Sequence, residues 1–204
     1  IELPAGQQCR HRALNTDGKN IQIKESTGPE GQQIIEVSAT QLPPIQSEPF
    51  GPSFAQLFPR VYFAPSAFSF DKTQGDMSTW QKYGEWQYDL LNGRDPLTEP
   101  FKSKLRELTA NCGTDREKVK AVYDYLAKTT RYVSIQLGIG GLQPIAATDV
   151  CRTGFGDCKG LSNYTRAMLN ELGIPSTYTV ISTTNERLLP DFSSANQMNH
   201  VILQ

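Results

Sequence analysis

The chain has 204 residues, of which 38% are hydrophobic and 20% charged, and its formal net charge is −1. That composition belongs to a folded globular protein rather than a disordered one, and so small a charge gives no electrostatic reason to expect nucleic acid or an anionic membrane surface as a partner. No apolar run approaches the ~20 residues needed to cross a bilayer, and the opening residues lack a signal-peptide pattern.

The first third reads as β-rich. Ile1-Glu2-Leu3-Pro4 is a short strand ended by its proline, and Cys9 to Leu14 is a second. Asn15-Thr16-Asp17-Gly18 supplies turn chemistry. Ile21-Gln22-Ile23-Lys24 alternates apolar and polar residues, the period of a half-buried strand. After a turn over Thr27-Gly28-Pro29-Glu30-Gly31 the chain returns from Gln33 to Ala39, with Ile35, Val37 and Ala39 on one face. These strands are expected to form an antiparallel meander, each open to solvent on one side.

Six prolines lie between Leu42 and Pro65, a density that excludes a long helix and favours extended chain. Phe50, Phe54, Leu57, Phe58, Val61, Tyr62 and Phe63 are interleaved with them, which a solvated linker would lack. The segment is therefore expected to be a packed strap rather than an exposed ligand groove, with Val61 to Ala64 as a strand.

Helical periodicity follows. Ser78 is placed to cap a helix with Trp80, Tyr83, Leu90 and Leu91 inward and Gly93 at its end. Thr98 is placed to cap a second, with Phe101, Leu105 and Leu108 on one face and Gly113 closing it. Thr114-Asp115-Arg116-Glu117 fits a capping box opening a third. Its predicted apolar face is Val119, Val122, Tyr123 and Leu126. All three read as scaffold. Tyr132 to Leu137 reads as extended. Gly138-Ile139-Gly140-Gly141 lacks the lysine of a phosphate loop and reads as a turn.

The stretch Gly156-Asp157-Cys158-Lys159-Gly160-Leu161-Ser162 delivers a cysteine to the start of a helix. Asp157 is a strong N-cap type. Beyond it Leu161, Tyr164, Met168, Leu169 and Leu172 fall on one helical face, with Gly173 and Pro175 as stop signals. A cysteine at a helix start meets free backbone N–H groups and the positive end of the helix dipole, an environment that favours the thiolate. The competing reading is a small buried cysteine in a helix–core contact. Ser176 to Thr183 then reads as a β-branched strand, and Asn199 to Gln204 as a final strand beginning at a histidine.

Of the two histidines, His11 lies in the N-terminal β region and His200 lies 42 residues after Cys158. Only the fold can bring that pair together. An imidazole beside such a thiol can take its proton and later protonate an amine leaving group. Four cysteines at positions 9, 112, 151 and 158 show no C-x-x-C spacing, so no structural metal and no cofactor is expected. If Cys158 is a free nucleophile, at most one disulfide can form among the other three, and the redox compartment is left open.

Arg131-Tyr132-Val133, Pro144-Ile145-Ala146-Ala147, Gly156-Asp157-Cys158-Lys159, Leu172-Gly173-Ile174-Pro175 and Asn199-His200-Val201 resemble, in that order, the transglutaminase-like superfamily. They look most like its bacterial branch, in which the core follows a β-sandwich domain. The resemblance implies an α+β fold: a papain-like transglutaminase core over residues 66–204, preceded by part of an antiparallel β-sandwich domain over 1–65. It implies a Cys-His-Asp triad with Cys158 as nucleophile and His200 as base. The implied activity is amide or peptide-bond processing on a protein or peptide substrate, hydrolysis favoured over acyl transfer.

The family's acid lies on the strand after the histidine strand. None of Asp149, Asp157 or Asp191 matches that position, so the chain reads as an internal fragment and the triad acid as lying outside it. The same gap motivates the alternative of a non-catalytic binding or structural module. Acyl transfer from a thioester donor to an arylamine ranks last. A bacterial envelope or periplasmic location rests on the resemblance alone. Gln136 and Gln143 are the side-chain candidates for an oxyanion donor, beside the Cys158 backbone N–H.

Overall fold

The computed structural model describes residues 1–46, 48–184 and 187–204, the side chain of Ala55 excepted. The chain divides into two compact units, Ile1–Tyr83 with Glu186–Ala195, and Gly84–Asn185 with Asn196–Gln204. Together they make an α+β protein.

The first unit holds small antiparallel sheets. Strands β1 (Glu2–Leu3), β4 (Gln33–Ala39) and β3 (Ile21–Thr27) pair in that spatial order, and the β3–β4 hairpin turns through Gly31 at φ +83°. Strand β2 (Cys9–Leu14) does not join them. After the short helix α1 (Phe54–Leu57), β5 (Arg60–Pro65) pairs with β2 in the register Cys9↔Pro65 to Leu14↔Arg60. The expected meander is thus corrected, and side chains at the end of β2 explain why. Asn15 Nδ2 donates to the carbonyls of Gln56 and Phe58 at 2.8 and 3.0 Å, drawing the strap back alongside β2. The Gln33 side chain instead bonds both the N–H and the carbonyl of Cys9, at 2.8 and 3.1 Å. The expected inner face of β4 also narrows to one residue, because Ile35 is buried while Val37 and Ala39 are exposed. The strand expected at Val61 to Ala64 lies within β5. Strands β6 (Ala67–Phe70) and β7 (Thr73–Asp76) form a second hairpin.

The division between units falls within α2 (Trp80–Leu91). Its cap is Thr79, whose hydroxyl accepts from Lys82 N–H at 3.2 Å. Ser78, the predicted cap, instead donates its N–H to Asp76 Oδ1 at 2.6 Å.

The second unit is built around one helix. Helices α3 (Glu99–Thr109) and α4 (Asp115–Thr129) lead through β8 (Arg131–Tyr132) and a short 3-10 turn at Gly138–Gly141 to α5 (Ala147–Thr153). Then come β9 (Phe155–Gly156), α6 (Cys158–Glu171), β10 (Tyr178–Ile181) and β11 (His200–Leu203). Helix α6 packs against α3, α4, α5, β9, β10 and β11. Its Tyr164, Ala167, Met168 and Leu169 meet Phe101 and Leu105 of α3, Val122 of α4, and Ala147 and Val150 of α5 in the core. The helical face expected from Leu161 to Leu172 is the one buried, and Gly173 at φ +72° stops the helix.

Two expectations here are corrected. Helix α3 ends at Thr109, whose hydroxyl folds back onto the Leu105 carbonyl at 2.9 Å, four residues short of the predicted Gly113. On α4 the capping box is present, with Glu117 N–H to Thr114 Oγ1 at 3.3 Å and Thr114 N–H to Glu117 Oε2 at 3.0 Å. Its inward stripe, however, is Val122, Tyr125 and Leu126, while Val119 and Tyr123 are exposed. Both stripes satisfy helical spacing, and a box fixes where a helix starts without fixing which way it faces. Val122→Ala is therefore expected to cost about 2 kcal/mol through lost methyl burial and a cavity. Val119→Ala should stay within about 0.5 kcal/mol of the parent. Equal shifts of the two urea midpoints would contradict this facing.

Candidate active site

Cys158 is the first residue of α6 and is 8% exposed. Three local features put it there. Gly154 ends α5 at φ +68°, a left-handed cap where a Cβ would also come within 3.0 Å of the Thr129 carbonyl. The chain then forms β9, which pairs in parallel with β8, Arg131 and Val133 donating their N–H groups to the Gly154 and Gly156 carbonyls at 2.8 and 2.9 Å. At Gly156 a Cβ would lie 3.1 Å from the Leu161 side chain and 3.2 Å from its backbone nitrogen, so glycine allows β9 to run against the first turn of α6.

Asp157 then caps the helix, its Oδ1 accepting from Gly160 N–H at 2.9 Å. Its other oxygen, Oδ2, accepts from Lys159 Nζ, and both side chains are almost wholly buried. The sulfur thus stands at the N-terminal end of α6, the end where a helix leaves its first N–H groups free.

Tyr132, at the end of β8 and opposite Gly156 in the ladder, meets the cysteine. Its hydroxyl end interacts with both the side chain and the backbone of Cys158. The residue is 57% exposed, but its hydroxyl end is tucked against Cys158. Desolvation there, followed by the bond to Cys158, raises the phenol above its ordinary range. Sequence reasoning missed Tyr132 as a site residue. The segment Arg131-Tyr132-Val133 carries part of the family resemblance without marking a role for Tyr132, and the parallel pairing that brings it to Cys158 spans 24 residues.

His200 is half-buried at the head of β11, where it pairs with Ile181 of β10. Asn199, just before it, bonds through its N–H to the Ile181 carbonyl at 2.9 Å, and its Oδ1 accepts from Thr183 N–H at 2.9 Å. Strand β11 lies against α6, so the elements carrying Cys158 and His200 belong to one unit.

Of the candidate oxyanion glutamines, only Gln143 has described side-chain hydrogen bonds. Gln143 Oε1 accepts from Arg94 Nη2 at 2.6 Å and its amide faces the Leu90 carbonyl at 3.3 Å, while Gln136 is exposed. Asp149 pairs with Arg152 at 2.8 Å and Asp191 with Arg12 at 3.0 Å. Among the described hydrogen bonds and ion pairs, none joins an acid to His200. All four cysteines are free thiols. No group of three or more metal-ligating side chains occurs among the described residues, and no described helix is long and apolar enough to cross a membrane.

Two solved structures are similar to the chain. A candidate protease from Parabacteroides distasonis ATCC 8503 superposes over the whole chain with a TM-score of 0.65 at 17% identity. The chain spans 36% of that protein's length. A candidate cysteine protease from Cytophaga hutchinsonii gives a TM-score of 0.40 at 12% identity, over all of this chain and 73% of that one. No curated protein matches the sequence. The family model of the transglutaminase-like superfamily covers residues 102–204, from α3 through β11, and with half its length so matched the chain belongs to that superfamily.

Proposed function

We propose that this chain carries a cysteine-dependent amide- or peptide-processing site, with Cys158 as nucleophile and His200 as its base. The observation that carries the proposal is the setting of Cys158, a buried thiol at the start of a capped helix with the Tyr132 hydroxyl against it. The candidate-protease description of the Parabacteroides protein supports the same chemistry.

In this reading His200 takes the thiol proton as the sulfur attacks the substrate carbonyl carbon. A sulfur–carbon bond forms, and the carbonyl oxygen takes up negative charge. That oxygen is met by the Cys158 N–H, with the Tyr132 phenol as a second donor. The carbon–nitrogen bond then breaks, and the imidazolium gives its proton to the departing amine. Water adds to the thioester with His200 again taking a proton, and the carbon–sulfur bond breaks to release the acid and restore the thiol. Hydrolysis is favoured over transfer because water needs no binding site of its own. The triad acid, and the identity of residues 1–65 as part of a β-sandwich domain, belong to the same proposal.

Iodoacetamide at neutral pH is expected to alkylate Cys158 at least about tenfold faster in the native chain than in the urea-unfolded chain. Cys9, Cys112 and Cys151 should show no such acceleration when modification is mapped by mass spectrometry. Equal native and unfolded rates at Cys158 would overturn the activated nucleophile and favour a non-catalytic module.

A further inference from the structure

Lys159 is 4% exposed and Asp157 3% exposed, and the two flank Cys158 in the chain. Removing an ammonium from water is costly, so a lysine this deep needs a partner. The described residues give it one acceptor, Asp157 Oδ2. Asp157 needs only one oxygen to cap the helix, and Oδ1 already does so through Gly160. The ion pair is therefore surplus to the cap. Between the two residues in the chain lies Cys158.

An unpaired Asp157 would leave a full negative charge on the residue preceding Cys158, where it would oppose ionisation of the thiol. It would also offset the positive field of the helix terminus. We infer that Lys159 is a positioning residue that neutralises Asp157, letting one carboxylate cap α6 without suppressing the thiolate of Cys158. The inference rests on the reading of Cys158 as nucleophile.

Among the described ion pairs, no other cation binds Asp157. Tyr132 from β8 meets the sulfur with a neutral phenol, and His200 heads β11. On α5, Asp149 and Arg152 pair with each other at the surface. On α4, Asp115 pairs with Lys118 and Asp124 with Lys120, again at the surface. On α3, Glu99, Lys102 and Arg106 gather with Glu171 at the far end of α6, while Lys104 reaches Tyr125 of α4.

The test measures iodoacetamide alkylation of Cys158 against pH in the full chain, with folding checked by circular dichroism. Lys159→Met leaves the anion unneutralised. It is expected to alkylate at least about tenfold more slowly than the parent at pH 7, with its rate profile moved to higher pH. The double variant Asp157→Asn with Lys159→Met keeps a capping side chain and removes both charges, and should return most of the rate. An unmoved profile in folded Lys159→Met, or a double variant as slow as the single, would overturn the inference.

If Lys159→Met does not fold, Asp157→Asn is compared with the double variant. The remaining ammonium should then make Asp157→Asn the faster of the two, and equal rates would overturn the inference. Failure of both single variants to fold, with a folded double variant matching the parent, would assign the pair to the fold alone and also overturn it. A parent chain whose Cys158 reacts no faster than when unfolded would instead bring down the nucleophile reading, and this inference with it.

Discussion

Asp157→Ala is expected to lower the unfolding free energy by about 4–6 kcal/mol, a large loss for one substitution. Two separate costs add. The helix loses the carboxylate oxygen that accepts from Gly160 N–H, worth about 1 kcal/mol for a cap of this kind. Lys159 loses its acceptor while still buried, and breaking such a pair from one side costs about 3–5 kcal/mol. The consequence reaches the core, because α6 is the element on which α3, α4, α5 and β11 all pack. Urea unfolding of the parent, of Asp157→Ala, and of Asp157→Ala combined with Lys159→Met separates the two costs. The double variant has no orphaned ammonium and should recover all but the capping loss of about 1 kcal/mol. A single variant whose midpoint matches the parent would mean that neither the cap nor the ion pair holds the first turn of α6.

The helix that carries Cys158 was readable because its signals are local. An N-cap aspartate, one apolar stripe and a closing glycine all lie within 17 residues, and each has the expected place in the structure. What was not readable depends on long-range pairing. The β2–β5 ladder joins Cys9 to Pro65 through a proline-rich strap whose return is directed by Asn15, and no period in the sequence encodes that. Helix α4 offered two stripes of equal apolar quality, and packing against α6 chose between them. The same limit governed the site. Asp157 was legible as a cap, but its second oxygen was not legible as the partner of a buried lysine, since a lysine in a helical first turn ordinarily points to water. Tyr132 reached Cys158 only through the parallel β8–β9 pairing. Gln136 and Gln143 have donor chemistry but no sequence signal tying either to Cys158, and Arg94 holds the second of them.

His200→Ala is expected to slow iodoacetamide alkylation of Cys158 at pH 7 by at least about 100-fold, the lower end of what a positioned base contributes. The effect should be kinetic and not structural. His200 is only half-buried, at the end of a four-residue strand, and the ladder to Ile181 is made by backbone groups that alanine keeps. Val201 and Leu203 still hold β11 to the rest of the unit, so the urea midpoint should move by less than about 1 kcal/mol equivalent. Raising the pH should narrow the gap between variant and parent, because hydroxide ionises the thiol without help from an imidazole. A structural effect would lower reactivity at every pH alike. Adding imidazole to the solution should restore part of the rate at pH 7, since the space left by the side chain can admit an external base. His200→Gln, which keeps bulk and hydrogen bonding but cannot accept and return a proton at this pH, should behave as His200→Ala does. Alkylation at the parent rate in both variants would remove His200 from the chemistry and leave Cys158 dependent on the helix terminus, Lys159 and Tyr132 alone.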